Sequence, residues 1–400
     1  MMIISTPKIT ENDAFAEVSA CITIDGAEYP LWFRVDRQFA HMLSDRADAF
    51  LAGLLIPAMA RGEDLQIEGA LSPRMLYGVK GQIREMLRHM QPRLKAVAVE
   101  ARTLSEKQGR GAGVISGFSC GVDSLSALYD HFVEPISETY RLTHLFFTDV
   151  GAHGAMQSPV FQDRVSIAKA AAEKIGLPLI VVSSNLDTFY ERGAYVTSHT
   201  LRNLAAALVL QNGVGAYLYS SGQHFRGLGV KQNKDISITE PALLPMMSTQ
   251  SFDAISVGNQ HHRINKVQQI ADWDLAQEFL DVCVLDYTSR TPRNCGHCYK
   301  CMRTMLALKA LGKLDRFEHN FDMDAYRRSR VRHVLRSELR NDVFWIENEA
   351  CAKANDQKFP ADIRAAIAVI RLPGVKWIAN RIWRAVRVMR GLPPEPFGFT

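Results

Sequence analysis

The sequence predicts an α/β protein with three regions: a small α+β domain at 1–108, a parallel-sheet domain at 109–312, and a basic helical region at 313–400. The main observation is that strand-like and helix-like segments alternate strictly from about Gly111 to Ser220. Such alternation is typical of a parallel sheet covered by helices on both faces. A hairpin pattern near the start and an arginine-rich helical pattern near the end distinguish the flanking regions.

The composition indicates a globular chain with a sizeable core. The chain has 400 residues, 47% of them apolar, and a formal net charge of +5. This charge is too small to call for nucleic acid by itself. No secretory leader pattern and no apolar run of about 18 residues is present. We therefore expect a cytoplasmic protein without a membrane span, in which clustered thiols among the seven cysteines indicate metal rather than disulfides.

The first region shows hairpin and helix signals but no chemical motif. Alternating apolar residues over 14–36 flank the turn Asp25-Gly26, which predicts a β-hairpin. Segments 64–68 and 95–102 predict further strands. Between them, Ser72 with Pro73 predicts the start of a helix.

The middle region predicts a parallel sheet. The predicted strands are 113–117, 144–148, 179–183 and 216–220, and the predicted helices are 123–131, 159–175 and 201–211. In such sheets ligands bind beyond the carboxyl ends of the strands. Ser119, Asp149, Ser183 and Ser221 would gather there.

A hydroxyl-rich loop connects the first of these strands to its helix. It consists of Ser119, Cys120, Gly121, Val122, Asp123 and Ser124. Backbone N–H groups at such a turn, on the positive end of a helix, can hold phosphate. The loop lacks the Gly-Lys-Ser/Thr ending of a Walker motif. An ordinary turn, in which Ser119 or Asp123 caps the helix, is the simpler alternative.

Four cysteines indicate a metal site. Cys295, Cys298 and Cys301 are separated by two residues each, and Cys283 lies upstream. Four thiolates suit tetrahedral Zn²⁺, which we favour. A Cys-x2-Cys-x2-Cys run also occurs around iron–sulfur clusters, so an iron–sulfur cluster remains the alternative to zinc. His297 lies inside the motif and could replace one thiol.

The loop at 119–124 resembles the Ser-Gly-Gly-x-Asp-Ser signature of the PP-loop ATP pyrophosphatases, with Cys120 in place of one glycine. The segment 295–301, followed by Arg303, is similar to the Cys-Gly-x-Cys-x-x-Cys core of the 7-cyano-7-deazaguanine synthases in that superfamily. Arg202-Asn203 resembles their Arg-Asn pair near the nucleotide. The resemblance covers about 111–310 and implies a doubly wound, adenine nucleotide alpha hydrolase-like sheet.

The resemblance implies an enzyme that uses ATP and Mg²⁺, contains Zn²⁺, and forms AMP and pyrophosphate. An acceptor carboxylate or amide would be adenylated and then attacked by a nitrogen nucleophile. Its implied catalytic residues are Ser119, Ser124, Asp123 and Asp149, where Asp123 would bind or orient Mg²⁺. The nucleotide-binding residues that the resemblance implies are Ser119, Cys120, Gly121, Val122, Asp123, Ser124, Arg202 and Asn203. The metal ligands that it implies are Cys283, Cys295, Cys298 and Cys301. Lys231, Arg263 or Lys266 would neutralise phosphates or lie on the surface.

Two departures from the family indicate a different acceptor, either a small molecule or a peptide. After its second strand the chain reads Asp-Val-Gly-Ala-His-Gly at 149–154, where the synthases have Asp-Tyr-Gly-Gln-Arg-His. The family's Tyr-Pro-Asp-Cys-Arg segment is replaced by 240–245.

Cys120 and the basic C-terminal region leave two alternatives open. A thiol just before a helix has a lowered pKa. Within the PP-loop superfamily that the loop resembles, such a thiol would point to the RNA sulfurtransferases; otherwise Cys120 is a small side chain that the loop tolerates. The arginine run at 327–340 and an amphipathic helix at 375–389 indicate either a solvated cap or contact with RNA or an acidic partner. A non-catalytic nucleotide- or RNA-binding module with structural zinc is the other alternative, and a homodimer is one option for assembly.

Overall fold

A computed structural model describes residues 1–106, 109–152, 158–285 and 291–389, without the side chains of 380 and 383–388. It shows a mixed α/β protein with a large, mostly parallel sheet. The chain forms two compact units, Met1–Ser119 with Asp123–Gln260, and Cys120–Val122 with His261–Thr400. Compactness thus groups the residues differently from the three regions predicted from the sequence.

The first unit contains one eleven-stranded sheet. Its strands are β1 (Met2–Ile4), β2 (Lys8–Glu11), β3 (Phe15–Ile24), β4 (Ala27–Asp36), β5 (Leu65–Leu71), β6 (Val99–Leu104), β7 (Gly113–Gly117), β8 (His144–Asp149), β9 (Leu179–Ser184), β10 (Val214–Ser220) and β11 (Asp253–Val257). The strand order is β11-β10-β7-β8-β9-β4-β3-β1-β5-β6, and β2 pairs with β3.

Fourteen α-helices lie among the described residues. They are α1 (Asp48–Arg61), α2 (Pro73–Gly78), α3 (Arg84–Met90), α4 (Val122–Leu128), α5 (Pro159–Ile175), α6 (His199–Leu208), α7 (Glu240–Met246), α8 (Arg263–Ile270), α9 (Asp274–Phe279), α10 (Tyr299–Ala310), α11 (Met323–Arg340), α12 (Val343–Ala354), α13 (Ala361–Ile370) and α14 (Val375–Met389). No helix in the described part of the chain is both long enough and apolar enough to cross a membrane.

The parallel part of the sheet confirms the predicted alternation. Strands β11, β10, β7, β8 and β9 are neighbours in that order, and each adjacent pair is parallel. Strand β10 is buried along almost its whole length, as expected for a strand covered on both faces. Helix α5 has the predicted bounds because Ser158 caps its first turn and Gly176, at φ 74°, ends it.

The N-terminal hairpin is also confirmed, but its strands are not separate from the parallel sheet. Asp25 and Gly26 have φ of 52° and 80°, as a two-residue turn between β3 and β4 requires. Strand β4 then pairs antiparallel with β9. The Ser184 hydroxyl donates to the Trp32 carbonyl (2.7 Å), which reinforces this junction. The strands predicted within residues 1–108 therefore continue the same sheet as the parallel strands.

The core helix of the first unit is α1, which the sequence did not predict. It is buried on all sides, so its sequence lacks the polar face that makes a helix recognisable. Its only first-turn charge is Asp48, which is fully buried. That carboxylate pairs with Arg46 (2.8 Å) and accepts the Ser72 N–H (2.8 Å), so the buried charge is compensated.

The second unit is helical, as predicted for the end of the chain. Helix α11 covers the arginine run, begins at a cap from Asp322 and ends at Asn341, whose φ is 51°. Helix α14 has the predicted bounds 375–389. Arg327 and Arg330 of α11 pair with Asp324 (2.7 Å) and Asp362 (2.9 Å), so part of the arginine run is neutralised within the fold.

Candidate functional site

The first candidate site is the carboxyl edge of the parallel strands. From β7 the chain proceeds to β8 and β9 on one side, and later returns to β10 and β11 on the other. The point between β7 and β10 is therefore a topological switch point, where α/β sheets bind ligands. Asp149 lies opposite Ser183 in the register, and Ser119 and Ser221 follow β7 and β10. The predicted edge residues thus belong to this one edge.

The loop after β7 is closed by its own hydroxyl group. The Ser119 N–H donates to Ser124 Oγ at 3.3 Å, and Ser124 is buried. A Cβ added at Gly222 would lie 3.7 Å from Asp123 Oδ2, so this carboxylate faces the loop that follows β10. The side chain of Asp123 therefore lies at the switch point.

The structure corrects the prediction for the Cys120 thiol. Cys120 is buried and has φ 56°, a left-handed conformation in which glycine is usual. Burial raises its pKa, and the nearby Asp281 raises it further, whereas Arg293 lowers it. The predicted lowering at a helix N-terminus is wrong because the side chain is removed from water. Cys120 is thus a protonated thiol at neutral pH, not an activated nucleophile.

The Arg202 side chain contacts other residues of the protein at this edge. Its side chain is fully buried, and its guanidinium donates to the Val150 carbonyl (3.0 Å) and to Ser198 Oγ (2.8 Å). It also pairs with Asp187 and lies 3.6 Å from the centre of the Tyr190 ring. Arg202 therefore fixes the backbone that directly follows Asp149.

Asn203 belongs to a polar cluster that the sequence did not reveal. The Thr148 hydroxyl donates to Asn203 Oδ1 at 2.8 Å. One turn earlier on α6, His199 shares a hydrogen bond with the Tyr219 hydroxyl (2.9 Å), and its Nε2 lies 3.3 Å from Asp235 Oδ1. Burial raises the pKa of Tyr219 well above its usual value. No sequence signal indicated this cluster, because the predicted helix 201–211 excluded His199, whereas the observed helix begins there.

The basic residues suggested for phosphate neutralisation differ in exposure. Lys231 is exposed in the first unit. Arg263 and Lys266, on α8 in the second unit, are buried. The surface-charge alternative is therefore wrong for Arg263 and Lys266.

The second candidate site is the cysteine cluster in the second unit. The sulfur atoms of Cys283, Cys295, Cys298 and Cys301 all lie within 4.8 Å of one another. The Cys295 and Cys301 sulfurs are 3.8 Å apart. Two ligands of a tetrahedral ion at about 2.3 Å from each sulfur would be separated by about 3.8 Å. The cluster could therefore hold a metal ion such as zinc.

Backbone donors and one asparagine hold the cysteines in place. The N–H groups of Cys298 and Cys301 donate to the sulfurs of Cys295 (3.1 Å) and Cys298 (3.5 Å). Asn294 Oδ1 accepts the N–H of Cys283 (3.1 Å), and its Nδ2 donates to the Leu280 carbonyl (2.8 Å). Asn294 thus ties the distant fourth cysteine to the others, which no sequence pattern indicated.

The tight turn between Cys295 and Cys298 contains two further residues, Gly296 and His297. Gly296 has φ 66°, and a Cβ there would overlap the Asp322 carbonyl, so only glycine fits. The His297 ring contacts the Cys295 carbonyl through Nδ1 (2.9 Å). Histidine 297 is outside the four-cysteine group, so the option that it replaces a thiol is wrong. Two stretches that the sequence analysis considered lie partly outside the described residues. They are the segment 149–154, of which 153 and 154 are not described, and the stretch between Cys283 and Cys295, of which 286–290 are not described.

We compared the chain with protein-family models, curated proteins and solved structures, and none of them matches it. Its function is therefore inferred from its own residues. Those residues form two groups, the strand-end edge with its hydroxyl loop and the buried cysteine cluster.

Proposed function

We propose that the protein binds ATP at the carboxyl edge of β7 and β10 and cleaves it into AMP and pyrophosphate. The supporting observation is the hydroxyl-closed loop from Ser119 to Ser124, which directly follows the first strand at the switch point. Right-handed crossovers that run to opposite sides of β7 would place helices on both faces. This is the doubly wound arrangement of the PP-loop proteins that the loop resembles.

The proposed reaction has two steps. An acceptor oxygen attacks the α-phosphorus, the bond to the β-phosphate oxygen breaks, and pyrophosphate leaves. A nitrogen nucleophile then attacks the adenylated carbon, and AMP leaves with the electron pair of the broken C–O bond. Mg²⁺ would offset the charge that develops on the phosphates. We assign the acceptor to the carboxylates or amides, in a small molecule or a peptide.

Each loop residue has a proposed role in this reaction. Ser119, Gly121 and Ser124 bind the departing pyrophosphate through backbone N–H and hydroxyl groups. Asp123 binds or orients Mg²⁺, since its carboxylate faces the loop after β10. Asp149 provides a second metal contact or binds the adenosine.

We also propose that the four cysteines hold Zn²⁺ in a closed structural site. Four protein thiolates complete a tetrahedral shell and leave no position open for substrate. Sulfur separations within 4.8 Å suit ligands of one ion better than an iron–sulfur cluster, whose iron atoms hold the thiolates apart.

The alternatives differ in what they require. An RNA sulfurtransferase that used Cys120 would need a reactive thiolate, and burial raises the pKa of that thiol. A binding module without catalysis would bind ATP and release no pyrophosphate. Release of pyrophosphate therefore distinguishes an enzyme from a binding module.

The test incubates the purified protein with ATP, Mg²⁺, ammonium and a panel of carboxylates and amides, and measures pyrophosphate and AMP. We expect equal release of both products with at least one acceptor. Asp123→Asn should slow release at least about 100-fold, because the metal-binding charge is lost. Glu173→Gln is the control, because Glu173 lies in the last turn of α5, away from the carboxyl edge. Pyrophosphate release that is absent with every acceptor, or unchanged in Asp123→Asn, would contradict the proposal.

A further inference from the structure

Helix α14 exposes apolar side chains that a helix of a globular protein normally buries. Trp377, Ile378 and Ile382 are 61%, 51% and 59% exposed, and Met389 is 77% exposed. Leu372, just before the helix, is 55% exposed. Amphipathic surface helices usually turn their apolar face towards the core. These residues therefore form an apolar surface that the described part of the second unit leaves uncovered.

The helix is attached to the second unit partly through a polar side chain. Lys376 Nζ donates to Asn341 Oδ1 (2.9 Å) and lies 3.8 Å from the Glu338 carboxylate. Just before the helix, Arg371 pairs with the same Glu338 (2.8 Å) and with Glu349 (2.5 Å). These ion pairs anchor the first turn while Ile378 remains exposed.

The charge of the helix restricts what can cover this surface. Residues 375–390 contain Lys376, Arg381, Arg384, Arg387 and Arg390 and no Asp or Glu. The Arg381 guanidinium lies 4.7 Å from the centre of the Trp377 ring. Arginine and tryptophan beside an aliphatic face are typical of helices that lie in a membrane interface. A surface of this composition therefore fits an anionic bilayer, which takes up both the apolar and the cationic side chains.

Two other occupants fit less well. A nucleic acid would contact the arginines but would leave the aliphatic side chains in water. A second copy of the same surface would cover those side chains but would bring two rows of like charges together.

We propose that α14 binds in plane to the surface of an anionic lipid bilayer, with Ile378 and Ile382 inserted among the acyl chains. This inference is independent of the proposed ATP chemistry, since every residue that carries it lies between 338 and 390.

The test measures sedimentation of the full-length protein with vesicles of phosphatidylcholine, alone or mixed with phosphatidylglycerol. We expect binding to the anionic vesicles at least about tenfold stronger than to the neutral ones, and weaker at high salt. The double substitution Ile378→Asp and Ile382→Asp should weaken this binding at least about tenfold, because charges replace the inserted side chains.

The control variant is Ile136→Asp. Ile136 is 66% exposed in the first unit, so its substitution tests whether any exposed isoleucine has the same effect. Unchanged circular dichroism in all variants checks that they fold. Equal binding by the double variant and the wild type would overturn the proposal. So would tighter binding to single-stranded RNA that the double substitution leaves unchanged, or a dimer that this substitution dissociates without any vesicle binding.

Discussion

Arg202 provides the sharpest test of how the carboxyl edge is built. Substitution by Met keeps the length of the side chain but removes every donor and the charge. The Val150 carbonyl and the Ser198 hydroxyl then lose a donor, and Asp187 loses its partner. We expect Arg202→Met to lower the free energy of unfolding of the first unit by about 4 kcal/mol.

This magnitude follows from the separate contacts. Each hydrogen bond from the buried guanidinium to a neutral acceptor contributes about 1.5–3 kcal/mol. The contact with the Tyr190 ring, at 3.6 Å from its centre, adds about 1–2 kcal/mol. The ion pair with Asp187 adds little, because the Asp187 side chain is 52% exposed and water screens it. These contributions are not additive, so the expected total is near the lower end of their sum.

The assay is urea unfolding followed by circular dichroism. Hydrogen exchange of peptides from β8 and β10 assigns the transition to the first unit. Asp187→Asn is the matched control and should cost less than about 1 kcal/mol. Unfolding of Arg202→Met at the wild-type urea concentration would refute the positioning role. A residue that only bound nucleotide would give that result together with weaker ATP binding.

Three other substitutions have expected outcomes. Cys298→Ser should reduce bound zinc from about one ion per chain to almost none in elemental analysis. Cys351→Ser, at a cysteine outside the cluster, should retain the zinc. Equal zinc content in the two variants would contradict the proposed zinc site. Cys120→Gly should change the free energy of unfolding by less than about 1 kcal/mol, because relief of the left-handed backbone offsets the lost packing of the sulfur. The variant should still release pyrophosphate. Complete loss of turnover would restore a chemical role for the thiol. Burial lowers the pKa of His131 in the folded protein, so as the pH drops through about 6.5 the unfolded chain takes up a proton first and the free energy of unfolding should fall. In urea titrations at several pH values, His131→Gln should reduce this pH dependence. Parallel plots of unfolding free energy against pH for the variant and the wild type would contradict the expectation.

The parallel strands and the grouping of the cysteines were predictable because their signals are local. Gly113–Gly117 is a short apolar run followed at once by a small-residue loop, and Cys295, Cys298 and Cys301 repeat at a fixed spacing. Helix α1 was missed because it is buried on every side and shows no polar face.

The remaining features depend on contacts between distant parts of the chain. The antiparallel pairing of β4 with β9 joins residues that no local pattern relates. The raised pKa of Cys120 depends on burial and on Asp281, which is far away in the sequence. Asn294 was missed because an asparagine in a loop has no periodicity, although it holds Cys283 beside the other cysteines.

The junction between β4 and β9 has a consequence for synthesis on the ribosome. The Trp32 carbonyl and the Ser184 hydroxyl that joins it are 152 positions apart in the chain. At about 5–20 residues per second, the edge of β4 has no partner for roughly 8–30 seconds after it has been made. Pro30 and the charged Glu28 and Arg34 on this strand are the residue types that discourage an unpaired edge from joining another chain. We therefore expect these residues to limit aggregation of the nascent hairpin during the interval before its partner strand emerges.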